Sequence, residues 1–588
     1  MKVLLVAVNA KYIHSNLAIY DLKAYVNSLP VSVQLGEYTV NQLPEDILRG
    51  IYEEGADVVA FSCYIWNITT VLSLAEELHK IAPATRIWLG GPEASYDAEA
   101  LLEKSSSVEL VVVGEGEATF YDLLDKHLLA GQDLSDIDGI VYRNGKREIC
   151  RNPLRPYLNM DEIPFVYEDM SGFEHKILYY ETSRGCPFRC SYCLSSIDKQ
   201  VRFRSLSLVL PELQYFLEQK VPQVKFVDRT FNCNHEHAYE IWRYICDHDN
   251  GITNFHFEIS ADLLKEEDFQ LFARMRPGLI QLEIGVQSTN PDTIAAIQRK
   301  MNVTKVREQV LRVHDMGNIH QHLDLIAGLP HETFSIFARS FNDVYEMKPD
   351  QLQLGFLKVL KGSCMEEHRE EYGIVATSQP PYEVLSTKWL TYEERCVLKD
   401  VEEMVEVYYN SGQFRRSIAC LQKRFADAFT FYRKLADYYR KRGMMEQKHT
   451  RLFRYDALRQ FALEEEDSLE KVSLPVLEEC LLYDLYLTEN CKKRPSWAQG
   501  EKEGKERLKQ LRSPQWRREH LEPAEQEAVN RILINRTDLH LEYFPNTMDG
   551  RYVLFDYSRR HPLTNEAATL PLEINSGREG VAIFRELT

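Results

Sequence analysis

No apolar run in this 588-residue sequence approaches the roughly 20 residues that cross a bilayer. The opening residues, MKVLLVAVNA, begin a strand pattern and lack the cleavage context of a signal peptide. The expectation is therefore a cytoplasmic protein with no membrane partner. Basic residues are also in deficit, with 70 Lys and Arg against 89 Asp and Glu and a net charge of −19. That balance disfavours nucleic acid as a partner and leaves only a local basic patch for one. No repeat of roughly 20 to 50 residues stands out, which excludes solenoids and propellers. The 12 cysteines are thinly scattered outside one cluster. In a reducing compartment that reads as buried thiols plus one metal site, not a disulfide framework. What is present is ordinary for a folded chain: aromatics at 11% argue against disorder, and the length calls for roughly two to four cores.

Residues 1–145 alternate β-rich runs with helical ones. The runs are KVLLVAV, VSVQLGEY, DVVAFSC, TRIWLGG and VELVVVG, apolar on both faces, which specifies a doubly wound parallel sheet covered by helices. Ligands bind such sheets at the carboxyl ends of the strands. The residues standing there include His14 and Asn16, Ser62, Gly90 and Gly91, and Gly114, Glu115, Gly116 and Glu117. Paired glycines after strands mark turns or close approach to a ligand; several strand ends converging on one edge favour a site.

Residues 146–172 read as a linker, with RNPLRPYLNMDEIPF at its centre. Residues 173–375 carry a second βα series with strand candidates ILYYETS, VKFVDRT, FHFEISA, IQLEIGVQS, HLDLIAG and LQLGFLK. Six units predict a partial (β/α)6 barrel with its site at the strand ends. Asp228, Glu258, Glu283, Gln287, Asp324 and Lys358 fall there. Carboxylates inside apolar strands are costly in a sealed core, so a polar cavity or cofactor is expected. Residues 376–588 read as a mostly α-helical domain of unknown function ending in a few strands. Its stretch RKLADYYRKRGMMEQKHTRLFRYDALRQF is either an RNA-contacting face or, the favoured reading, a helix pair with aromatics inward.

The stretch ETSRGCPFRCSYCLSS places Cys186, Cys190 and Cys193 in a CxxxCxxC spacing. Thiolates suit zinc, copper(I) and iron-sulfur clusters. Structural zinc needs four ligands, and no CxxC or HxxxH partner lies within a plausible distance of Cys193. Three thiolates on a four-iron cube leave one iron open to a cosubstrate, and Tyr192 sets an aromatic beside it. The alternatives are an incomplete zinc knuckle or a buried cysteine cluster.

This spacing after the first strand of a six-unit βα series resembles the radical S-adenosylmethionine superfamily, over roughly residues 175–370. The resemblance implies that the three cysteines hold a 4Fe-4S cluster whose free iron chelates S-adenosylmethionine, cleaved on reduction to a 5'-deoxyadenosyl radical. It implies further that Asp228, in FVDRTFN, meets the cosubstrate's amino group and that Glu258, Gln287 and Ser288 lie near its ribose and carboxylate. IAGLPHET, with Gly328, resembles the strand lining the adenine; His331 stands where the family more often has glycine.

Residues 1–145 resemble the flavodoxin-like cobalamin-binding domain that precedes this barrel in one large subgroup, through DVVAFSCYIWN, IWLGGPEASY and VVVGEGEATF. The DxHxxG loop of histidine-ligated cobalamin is missing around His14, so the resemblance implies cobalamin without a histidine lower ligand and His14 as a polar contact. The combination implies methyl transfer from methylcobalamin to an unactivated carbon of an unknown substrate, with a second S-adenosylmethionine remethylating cobalt and flavodoxin or ferredoxin as electron donor. Glu283, Asp324 and Lys358 are the candidate acid or base groups on position alone, or structural ion-pair partners. Rival readings are a cobalamin-dependent cyclase or rearrangement enzyme, and an RNA- or protein-binding module with an inactive barrel. A methylthiotransferase would need a second cysteine triplet, which Cys63, Cys150, Cys233 and Cys246 do not form. The C-terminal domain resembles the uncharacterised extension of some of these enzymes and is expected to cap the barrel.

Overall fold

The structure is a computed structural model describing residues 1–465, 473–498, 501–533, 538–577 and 581–586. Two compact units emerge, Met1–Ile336 with Gly355–Tyr392, and Phe337–Leu354 with Glu393–Thr588.

The first unit opens with a seven-stranded sheet in the order Ser32–Thr39, Lys2–Asn9, Val58–Ser62, Arg86–Gly90, Leu110–Val112, Ile140–Arg143, Ile149–Arg151. The first five strands run parallel and the last two antiparallel. Residues alternate between two cores: Leu4, Val6 and Val8 face one layer of helices and Val3, Leu5 and Ala7 the other. Both faces are therefore dry, as the continuous apolar runs require. The order reverses between Lys2–Asn9 and Val58–Ser62, which places the topological switch point at the ends that carry His14 and Ser62. The edge hairpin extends this sheet to residue 151, into the stretch read from sequence as linker. Five residues, 144–148, turn it: Arg147 N donates to Asn144 O at 2.8 Å and Arg147 takes φ +66°.

The second sheet has six strands in the order Gln351–Phe356, His320–Ala327, Ile280–Gln287, Asn254–Ile259, Gln223–Phe226, Leu178–Tyr180. The four neighbouring pairs from Leu178–Tyr180 to His320–Ala327 are parallel. This is the partial barrel the six βα units call for. Phe226, Phe231, Trp242, Phe257 and Phe272 interlock edge to face or tilted behind it and anchor the helices to the strands.

In the second unit, helices fill most of residues 392–533 and an antiparallel sheet follows, Leu539–Phe544, Arg551–Arg560, Ala567–Gly577 and Val581–Glu586. Phe337–Leu354 belongs here for a packing reason. Phe341 packs edge to face on Phe429 and Tyr432, at 5.5 and 5.9 Å, and the Asn342 side chain accepts a hydrogen bond from Phe429 N. Ala428–Lys441 and Arg451–Glu464, the basic aromatic stretch of the sequence, bury Tyr438, Tyr439, Tyr455 and Phe461. The inward-facing arrangement of these rings is the amphipathic one. Among the described residues no helix is long and apolar enough to cross a membrane.

Candidate active site

Cys186 follows a turn that only glycine allows. Gly185 has φ +89°, and a Cβ there would stand 2.5 Å from the carbonyl oxygen of Gln200. The turn brings Cys186 and Cys190 under cover and leaves Cys193 half-exposed. Among the described residues the three sulfurs are not a set converging within 4.8 Å, the geometry that ligands of a single ion require. A cluster that gives each thiolate its own iron makes no such demand, so the donors fit an iron-sulfur cube better than a lone zinc. Arg299, half-buried, reaches Cys190 Sγ at 3.7 Å and donates to Tyr192 Oη at 3.2 Å. Tyr192 thus sits beside the cysteines as the sequence placed it, held by an arginine that sequence reading passed over.

The barrel's strand ends hold the remaining groups. Asp228 is buried and accepts hydrogen bonds from Thr182 N, Thr182 Oγ1 and Ser183 Oγ at 3.0, 2.7 and 2.6 Å. Burial pushes its carboxyl up to about 6 against those hydrogen bonds. Burial also pushes Glu258 up to about 7, with Arg229 opposing. Gln287 stands at a bulge between Gly285 and the end of its strand, with φ +70°, and its Oε1 is buried without a hydrogen-bond partner. A strained backbone aiming an unsatisfied acceptor is a mark of a binding position. Ser288 donates to Glu332 at 2.6 Å, in the HET segment after Gly328. Gly328 itself closes on Val384, and His331 packs against Trp389 at 4.5 Å.

Of the three acid or base candidates, the structure brings two together. Glu283 Oε2 lies 3.0 Å from both Lys225 Nζ and His256 Nε2. Burial raises its carboxyl, but these two partners outweigh burial and hold it well below the carboxylate range. Asp324 Oδ1 lies 3.0 Å from His322 Nε2, and burial raises Asp324. Lys358 does not join them. It is exposed, on a segment that bridges backbone to backbone with Glu383, because the chain leaves the sheet at Phe356. Lys225 takes the place expected of Lys358. His256 and His322, like Lys225, were legible only as polar residues inside apolar strands.

All nine strand-end positions of the first sheet line one cavity of about 710 Å³: His14, Asn16, Ser62, Gly90, Gly91, Gly114, Glu115, Gly116 and Glu117. The opposite wall comes from the barrel side: Tyr179, Ser183, Arg184, Gly185, Ser195, Asp198, Val227 and Arg229. The chamber is of cofactor size, and Tyr64 and Trp66 stack in it at 4.4 Å. Gly91, with φ +103°, could not carry a Cβ, which would stand 2.6 Å from Cys63 O; at Gly114 there is open space. Several positions have local duties as well. Asn16 caps the helix Leu17–Tyr25. His14 Nδ1 contacts Tyr179 Oη at 2.7 Å, and burial lowers its pKa. Glu115 and Glu117, expected as cofactor contacts, spend their carboxylates on Arg202 and Arg184, each at 2.5 Å.

Residues 3–124 match the B12 binding domain, residues 180–344 the radical SAM superfamily, and residues 370–555 a protein of unknown function, DUF4080. The chain is 26% identical over 324 residues to the 2-(S-pantetheinyl)-carbapenam-3-carboxylate methyltransferase of Streptantibioticus cattleyicolor, covering 51% of this chain and 47% of that one. It is 26% identical over 316 residues to the cobalamin-dependent radical SAM methyltransferase TokK of Streptomyces tokunonensis, covering 51% and 45%. The match thus spans about half the length of these curated relatives. Anaerobic magnesium-protoporphyrin IX monomethyl ester cyclases match at 21–23%. Among solved structures, the cobalamin-dependent S-adenosylmethionine radical enzyme OxsB superposes with a TM-score of 0.55 over 84% of each chain at 16% identity, a likeness of fold.

Proposed function

We propose that this protein is a cobalamin-dependent radical S-adenosylmethionine enzyme that methylates an unactivated carbon of a small-molecule substrate. The observation that carries this reading is the chamber of about 710 Å³ lined by the ends of the first sheet and, from the barrel side, by Arg184, Gly185, Ser195 and Asp198, which flank the three cysteines in sequence. A cofactor of the first domain and a cluster on the cysteines would face each other across one water-excluding space.

Cys186, Cys190 and Cys193 would hold a 4Fe-4S cluster. Asp228, Glu258, Gln287 and Ser288 would hold S-adenosylmethionine, and the strand-end glycines of the first sheet would admit cobalamin close to the backbone. When bound, these groups supply a substrate-derived radical and a transferable methyl. The chain's own part is positioning: Arg184 fixes the cysteine loop to Glu117, and Gln287 offers its unengaged oxygen as an acceptor. Cluster chemistry of this kind needs a reducing compartment, hence the cytoplasm, and an electron donor such as flavodoxin or ferredoxin.

The match to cyclases supports a second reading, ring formation on the same scaffold without methyl transfer. One experiment separates the readings. Protein purified without oxygen, reconstituted with iron, sulfide and hydroxocobalamin, is given reductant and S-adenosylmethionine. Iron, cobalt, 5'-deoxyadenosine and S-adenosylhomocysteine together support methylation; deoxyadenosine without S-adenosylhomocysteine supports the cyclase; a chain that binds no iron ends both.

A further inference from the structure

Inside the barrel, Glu283, His322 and Asp324 each bring one ligating atom within 4.8 Å of the others. The arrangement follows from register. Glu283 on Ile280–Gln287 is directly paired with His322 on His320–Ala327. His322 and Asp324 are two residues apart and so share a face. Asp324 stands opposite Gly285, where the Gln287 amide takes the place of a Cβ. One imidazole and two carboxylates thus project from adjacent strands towards one point.

A second observation points to a ligand there. His322 is 7% exposed, and its Nε2, although 3.0 Å from Asp324 Oδ1, lacks hydrogen-bond alignment with it; both atoms are buried without a hydrogen bond. Buried polar atoms are seldom left so. The neighbouring groups bear on the same carboxylate. Lys225 Nζ and His256 Nε2 both lie 3.0 Å from Oε2 of Glu283. A histidine behind a carboxylate ligand is the kind of support that holds metal sites in shape, whereas the Lys225 ammonium competes with a cation for the same carboxylate. Two carboxylate oxygens and one imidazole nitrogen suit a first-row divalent ion of the manganese, iron(II) or zinc class rather than a soft copper(I).

We propose that Glu283, His322 and Asp324 form a divalent metal site in the barrel, distinct from the three cysteines. The ion would take an oxygen of the substrate, from a carboxylate or hydroxyl, as a further ligand and so orient the substrate below the cosubstrate. That use rests on the proposed function; the metal site itself does not.

The test is Mn²⁺ titration of the tag-free, full-length, cluster-loaded and cobalamin-supplied protein, reading free Mn²⁺ by room-temperature electron paramagnetic resonance. Saturable binding of one Mn²⁺ per chain is expected. His322→Gln and Asp324→Asn should each weaken it by roughly tenfold or more, with iron and cobalamin content unchanged. Lys225→Met, which removes a competing ammonium beside Glu283, should tighten binding, an outcome that misfolding does not produce. No saturable Mn²⁺ binding, or binding indifferent to all three substitutions, overturns the proposal. Because iron content and deoxyadenosine formation are measured on the same samples, failure of the metal site is distinguishable from failure of the radical-enzyme reading.

Discussion

Arg184 and Glu117 form a buried ion pair, Nη2 to Oε1 at 2.5 Å, that joins the turn before Cys186 to the strand-end loop of the first sheet. Arg184 also contacts Glu181 at 2.8 Å and Glu115 at 3.7 Å. One guanidinium thus holds both walls of the chamber. Arg184→Met strands Glu117 without its counter-ion, which for a buried pair costs about 3–5 kcal/mol. A fall in thermal midpoint together with weaker hydroxocobalamin binding is the expected outcome; an unchanged midpoint would count against the coupling.

Replacing any one of Cys186, Cys190 and Cys193 by alanine is expected to remove most of the iron while leaving hydroxocobalamin binding in place. The cysteine loop and the glycine-lined strand ends belong to different sheets of the same unit. Iron analysis and the visible spectrum check both halves. Retention of full iron by all three variants would argue for ligands elsewhere.

Glu258 gives stability a pH signature. Burial raises its carboxyl from the ordinary 4.5 to about 7, so between those values the native state holds a proton that the unfolded chain has released. Stability from this group is full below about 4.5 and is lost as pH rises through about 7. Glu258→Gln should flatten that part of the profile, measured as urea midpoint against pH. A slope that survives the substitution would assign it to other groups, Asp228 first, since burial raises it to about 6.

Arg299 lies against Cys190 Sγ and Tyr192 Oη. A cation beside a cluster thiolate favours the reduced, more negative state. Arg299→Met is therefore expected to shift the cluster potential to a more negative value in a redox titration. A shift in the positive direction would contradict this role.

Truncation after Tyr392 should give insoluble protein. The cut removes Phe429 and Tyr432 and leaves the buried face of Phe341 without its partners, an exposed apolar surface on a helix that precedes the cut. Phe341→Ala in the full chain should cost about 3–5 kcal/mol, read as a lower unfolding midpoint. A soluble, folded truncation would show that Phe337–Leu354 does not depend on the C-terminal helices.

The alternation of apolar runs with helical stretches sufficed for both parallel sheets, because a strand buried on two faces and a crossover helix each leave a mark within a few residues of chain. The cysteine spacing was equally local, and the strand-end glycines were found by the rule that ligands meet such sheets at their carboxyl edges. The edge hairpin carries its second strand, Ile149–Arg151, into the stretch expected as linker, beyond the boundary drawn at residue 145. The rest depends on separations no local pattern encodes. Arg184 meets Glu117 across 67 positions and Lys225 meets Glu283 across 58, so their pairing exists only once the sheets are assembled. Lys358 stood correctly at the end of a strand run but was carried to the surface by the direction the chain takes next. Asp324 was legible as a candidate acid or base group and His322 only as a polar residue in an apolar strand; register against Glu283 turns them into a cluster. What the sequence by itself determined was the set of elements and the cysteine motif, whose signals are periodicity and spacing. What only the tertiary structure decided was which charges are buried together, since their partners are chosen by strand order and register across the whole unit.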